Sequence, residues 1–144
     1  MKPENKNMRV LFVCEHNSAR SQMAEAFLKA LAPGRFDVQS AGISPGNLNP
    51  LAITAMGEIG IDISMNRTKS ADELLSRDEK FDIINTVCDP AAKSCPVFPG
   101  ARIFNWSFED PSKVTGTAEE RLSTMRKIRD EIQQKLDAWI RDLP

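Results

Sequence analysis

The segment MRVLFVC, residues 8–14, is a short, almost unbroken apolar run closed by polar residues. Such a run is far too short to cross a bilayer, and it lacks the alternation of a strand with one wet face. It reads as a strand buried on both sides, and helices packed on both faces of a parallel sheet are the usual way to achieve that. A helical pattern follows at once. SARSQMAEAFLKALA, residues 18–32, carries Met23, Phe27, Leu28 and Leu31 at helical spacing and stops at Pro33-Gly34.

The rest of the chain repeats this alternation. FDVQSAG (36–42) reads as a second strand, followed by a loop rich in Gly, Pro and Asn. LAITAMGEIG (51–60) reads as a short helix, and the alternation of Ile59, Ile61 and Ile63 allows a brief extended stretch. SADELLSRD (70–78) suggests one or two helical turns, FDIINTV (81–87) a third buried strand and ARIFNW (101–106) a fourth. In the last helix Thr117 and Glu120 form a capping box, and Leu122, Met125, Ile128, Ile132, Leu136 and Ile140 form one apolar stripe. The fold expected is α/β, a parallel doubly wound sheet, in one domain spanning 1–144 with Met1 to Asn7 as a frayed end. In such sheets ligands sit beyond the carboxyl ends of the strands. Cys14, Cys88 and the loop after Trp106 are thereby expected on one rim.

With 144 residues and a net charge of -1, the chain presents no cationic field for nucleic acid or an anionic membrane. Any anion it binds must be held by a local site. The polar N-terminus MKPENKN lacks the apolar stretch of a secretory signal, so a cytoplasmic location is expected by default. In a reducing compartment its three cysteines read as catalytic, metal-binding or core residues rather than structural bridges.

That local site is Cys14-Glu15-His16-Asn17-Ser18-Ala19-Arg20-Ser21, set between a buried strand and a helix N-terminus. Successive N–H groups in such a turn can wrap a tetrahedral oxyanion, and the helix dipole adds favourable potential. Arg20 can offer a bidentate fork, and the same field favours a thiolate at Cys14. Ser21 is placed to donate to the sulfur, and Asn17 to brace the loop. The alternative is a buried strand cysteine and a solvated helix arginine; the strand–loop–helix context favours the anion site. His16 reads as a loop residue pointing to solvent.

VCEHNSARSQMAEAF resembles the anion loop of the low-molecular-weight protein tyrosine phosphatases and of the thioredoxin-coupled arsenate reductases built on that fold. The resemblance continues through SAGISPGNLNP, IGIDIS, the two later cysteines and FEDPS. It implies a four-stranded parallel sheet flanked by helices on both faces, with Cys14 as nucleophile and Asp110, before Pro111, as the acid for the leaving oxygen. VCDPAAKSCP sets Cys88 and Cys95 at the spacing of the reductases' cysteine pair, for which a phosphatase has no use. The phosphatases usually carry an aromatic residue just after Asp-Pro and tyrosines near the cleft. This chain has Ser112 and no tyrosine.

The resemblance therefore implies arsenate reduction through a relay from Cys14 to Cys88 to Cys95, re-reduced by thioredoxin, in a monomer needing no metal or organic cofactor. A phosphatase and a non-catalytic thiol redox sensor are the alternatives. Zinc is disfavoured, because its cysteines are normally two to four residues apart and His16 or a carboxylate would have to complete the set. If residues 88–95 were helical, their Cα atoms would stand about 10.5 Å apart, beyond the ~4.4–6.8 Å of a disulfide. Oxidation would then have to refold that segment. Relatives often carry small neutral residues at the positions of Glu15 and His16, so Glu15 is expected to point outward. Some relatives bind potassium beside the loop. Arg67-Thr68-Lys69 argues against such a site here and suggests cations that draw oxyanions to the cleft.

Overall fold

The computed structural model describes residues 7–87 and 100–143. Strands β1 (Met8–Cys14), β2 (Phe36–Gly42), β3 (Ile83–Thr86) and β4 (Arg102–Asn105) form one parallel sheet in the order β2-β1-β3-β4. The central position of β1 explains its unbroken apolar run: Val10, Leu11, Phe12 and Val13 are all fully buried. Their side chains alternate between two cores. Val10, Phe12 and Cys14 face α1 (Arg20–Leu31), α2 (Pro50–Gly57) and α4 (Ala118–Arg141), while Leu11 and Val13 face α3 (Ala71–Ser76). Helices thus cover both faces, as the pattern required.

Local chemistry starts three of the helices. Asn49, Ser70 and Thr117 each accept a backbone N–H at the N-terminus of α2, α3 and α4, and Thr117 with Glu120 completes the capping box. Such caps contribute about 1 kcal/mol each. On α4, Met125, Ile128, Ile132 and Leu136 are fully buried, and Leu122 and Ile140 flank them half-buried. Helix α1 differs. Its N-cap is Ala19, with no side-chain cap, so its first N–H groups are left uncapped by side chains.

The stretch at residues 59–63 joins no strand of the sheet. The chain leaves α2 through left-handed Gly60, with the Ile59 and Ile61 N–H groups both donating to the Met56 carbonyl. Ile63 then buries in the helical core, and the strand-like partner of Gly42 is Ser70. Nor is the fourth strand buried. β4 is an edge on which Ile103 is 54% exposed and Arg102 and Asn105 face solvent. No helix among the described residues is long and apolar enough to cross a membrane.

Candidate active site

Residues 14–20 turn from the end of β1 into α1, and outside groups hold their carbonyls. Ile43 N–H donates to the Cys14 carbonyl, Ser44 to Glu15, Gly46 to His16 and Asn49 to Ser18, at 2.7–3.0 Å. Gln22 Nε2 donates to the Asn17 carbonyl at 3.1 Å. A trans peptide sets its N–H opposite its C=O, so with these carbonyls turned out, the N–H groups of residues 15–19 turn in. Asn17 N–H obeys this, donating to Cys14 Sγ at 3.1 Å. Amides turned inward at a helix N-terminus can cradle an oxyanion.

Close approach makes the turn feasible. Asn17 adopts φ 54, in the left-handed region that asparagine tolerates better than most residues. Gly42 passes beneath the loop, where an added Cβ would stand 2.8 Å from both Asn17 N and the His16 carbonyl carbon. No other residue fits there without displacing backbone.

Cys14 is buried, and its sulfur lies 2.9 Å from Ser21 Oγ. Arg20 is 4% exposed. Its Nη1 donates to the Phe108 carbonyl at 3.1 Å, and its Nη2 lies 3.7 Å from Asp110 Oδ2. Asp110 caps the short 3-10 turn Pro111–Lys113, accepting from the Ser112 amide and hydroxyl. Burial pushes its carboxyl up, but the Ser112 hydrogen bonds and the Arg20 and Lys113 charges outweigh it and hold it below the usual range. A cavity of about 350 Å3 lined by Arg20, Phe108, Asp110 and Lys113 opens here. Cys14, Arg20, Ser21 and Asp110 are thus gathered on the sheet's carboxyl rim.

Glu15 is exposed and Ser18 half-buried, while Ala19 is buried. His16 departs from expectation: it is half-buried, and its Nδ1 lies 2.9 Å from the Ser44 carbonyl, which can only accept, so Nδ1 carries a proton. It is thereby tied to the loop that clamps the cradle. Cys88 and Cys95 lie outside the described residues. Lys69 serves through its backbone, whose N–H donates to Asn17 Oδ1 at 3.0 Å. Its ammonium sits among Glu25, Lys29, Arg67 and Glu73, and burial pulls it below the usual lysine value.

Sequence reasoning assigned no role to Gln22, Ser40 or Gly42. Gln22 is 1% and Ser40 0% exposed, and each is hydrogen-bonded to Asn17. The available signal was a polar side chain at each position on a buried face of α1 or β2.

A family model described as low molecular weight phosphotyrosine protein phosphatase matches residues 9–144. An arsenate reductase of Halalkalibacterium halodurans is 42% identical over 131 residues, covering 90% of this chain and 93% of the relative. The chain belongs to this phosphatase family, among its arsenate reductases. A solved arsenate reductase in the phosphate binding state superposes with a TM-score of 0.79 at 30% identity, covering 95% of this chain and 99% of that one. A Corynebacterium glutamicum thioredoxin-dependent arsenate reductase gives 0.62 at 26% identity, covering 92% of this chain and 63% of that one.

Proposed function

We propose that this chain reduces arsenate to arsenite in the cytoplasm, with thioredoxin as the thiol donor. The observation that carries the reading is the buried Cys14, whose sulfur accepts the Asn17 N–H and lies 2.9 Å from Ser21 Oγ in the turn that opens α1. Likeness to arsenate reductases over nine-tenths of the chain supports it, and likeness to a thioredoxin-dependent one supports the choice of donor.

Arsenate, a tetrahedral oxyanion, enters the cradle and pairs with Arg20. The Cys14 thiolate attacks arsenic; an S–As bond forms, an As–O bond breaks, and Asp110 gives its proton to the departing oxygen. Cys88 thiolate then attacks the Cys14 sulfur. An S–S bond forms, the S–As electron pair passes to arsenic, and As(V) leaves as As(III). Cys95 attacks Cys88 next, releasing the Cys14 thiolate and leaving a Cys88–Cys95 disulfide for thioredoxin to reduce. Two thiols supply the two electrons, so neither metal nor organic cofactor is needed.

The test is a coupled assay with arsenate, thioredoxin, thioredoxin reductase and NADPH. Arsenate-dependent NADPH consumption is expected. Its absence, with hydrolysis of an aryl phosphate, would make the chain a phosphatase; neither activity would leave a thiol sensor.

A further inference from the structure

Hydrogen-bond direction around Asn17 is fixed by groups that can act in only one way. Backbone carbonyls only accept, so the Gln22 atom at 3.1 Å from the Asn17 carbonyl and 3.2 Å from the Arg67 carbonyl is the amide nitrogen. Gln22 Oε1 then accepts from Asn66 Nδ2 at 3.0 Å. A backbone N–H only donates, so the Asn17 atom facing Lys69 N is Oδ1, and Gln22 Nε2 reaches the same oxygen at 3.2 Å.

Asn17 Nδ2 is thereby turned the other way. Its two hydrogens go to Ser21 Oγ at 2.8 Å and Ser40 Oγ at 3.0 Å. Ser40 passes its own proton to Glu25 Oε1 at 2.5 Å. Ser21 Oγ accepts from Asn17, and toward a Cys14 thiolate, which can only accept, the Ser21 hydroxyl is the donor across the 2.9 Å to Sγ. Two donors then meet at the sulfur, the Ser21 hydroxyl and the Asn17 N–H, an arrangement that suits a thiolate.

We propose that Gln22 is the positioning residue of this site: by holding the backbone and side chain of Asn17 together, it makes Ser21 a donor to Cys14. Asn17 sits at φ 54, a conformation that persists in a non-glycine residue only when its surroundings over-determine it. Gln22 reaches both its carbonyl and its Oδ1, and it anchors them to the 66–67 loop. Without the Gln22 amide, the Asn17 carbonyl loses its hydrogen bond and Oδ1 keeps only the Lys69 N–H, so the left-handed peptide and the aim of its NH2 at Ser21 are held more loosely. The inference rests on Cys14 being the nucleophile.

The experiment measures alkylation of Cys14, identified by peptide mapping, across pH in the full chain. Gln22→Met keeps the length and removes the donors. Gln22→Asn is too short to reach Arg67 and Asn17 together yet stays polar, so a folded variant is in hand if the first melts. Both should lose about tenfold in Cys14 reactivity at pH 7, the worth of one weakened hydrogen bond to a charged group, with the profile displaced to higher pH. A role confined to stability would lower the melting temperature and leave the profile where it was. If a folded Gln22 variant shares a wild-type profile well displaced from that of a free thiol, this inference alone falls. If wild-type Cys14 itself reacts like a free thiol, the nucleophile reading falls with it.

Discussion

The guanidinium of Arg20 and the carboxylate of Asp110 face each other across 3.7 Å, a charge pair longer than a hydrogen bond. Arg20 is anchored instead through the Phe108 carbonyl, so part of its fork stays available to an oxyanion. Against the burial that raises it, the Ser112 hydrogen bonds, with a smaller share from Arg20 and Lys113, hold the Asp110 carboxyl below its usual range and favour the ionised form, which is the wrong form for an acid. An arsenate bound to Arg20 would compete for that cation and bring negative charge beside Asp110. Both effects favour protonation of the carboxyl when it is needed.

Asp110→Asn should therefore slow S–As bond formation by about 10²–10⁴-fold, the usual worth of a positioned acid. Anion binding, which depends on Arg20 and the amide ring, should change little. Single-turnover kinetics with phosphate titration as the binding control would separate the two. An unchanged rate would leave Asp110 as the cap of its turn.

The same carboxylate makes stability depend on pH. Its folded value is lowered, so its contribution is present above the unfolded value of about 3.9 and is lost as pH falls through the folded value. Asp110→Asn lacks this contribution at every pH. The gap in melting temperature between wild type and variant should be widest near neutrality and should close as pH falls through the lowered folded value. A gap constant with pH would show that the folded value is not lowered.

Gly42→Ala tests the floor of the loop. The added Cβ would meet only backbone, at 2.8 Å from Asn17 N and from the His16 carbonyl carbon, with Glu15 O at 3.0 Å. No side chain can swing aside to relieve it. Overpacking of this kind costs about 1–3 kcal/mol, and here the strain falls on the peptides that face the anion. The variant should fold with a lowered melting temperature and bind phosphate at least tenfold more weakly by calorimetry. Wild-type affinity would show that the loop adjusts freely.

The sheet was legible because β1 lies at its centre: a strand buried on both faces has no room for polar residues, and Val10 to Val13 show none. Cys14, Arg20 and Ser21 were legible for a similar reason, since a loop opening a helix must solve the problem of its bare N–H groups. The bracing of that loop was not. Gln22, Ser40 and Gly42 act on Asn17 through hydrogen bonds and contact with residues up to 25 positions away in sequence. Such pairings leave no period in the sequence. The edge strand was misjudged because Ile103 and Phe104 look apolar whether or not anything covers them.

Asn85 breaks the apolar logic of the sheet. It registers between Phe12 and Phe104 and is 1% exposed, and its Oδ1 has no hydrogen-bond partner among the described residues. A buried acceptor left unpaired costs roughly 1–3 kcal/mol. Asn85→Val should remove that cost at similar volume and raise the melting temperature by several degrees. A fall would indicate that the oxygen has a partner in the folded protein, such as a bound water.

The relay is tested by giving each cysteine its own failure. Val87, the residue before Cys88, donates its N–H to the Val13 carbonyl at 2.9 Å, so the chain enters the Cys88 segment beside the strand that ends in Cys14. Cys14→Ser should abolish both arsenate reduction and any aryl phosphate hydrolysis, because both need the same nucleophile. Cys88→Ser should lose reduction but keep whatever hydrolysis the loop, Arg20 and Asp110 support. Cys95→Ser should release about one arsenite per protein and then stop, holding a Cys14–Cys88 disulfide. Thioredoxin should reduce that bridge poorly, because Cys14 is only 2% exposed. Peptide mapping after one turnover identifies the bridge. If Cys95→Ser cycles with thioredoxin at the wild-type rate, the oxidation leaves the site without Cys95, and the three-cysteine relay is wrong.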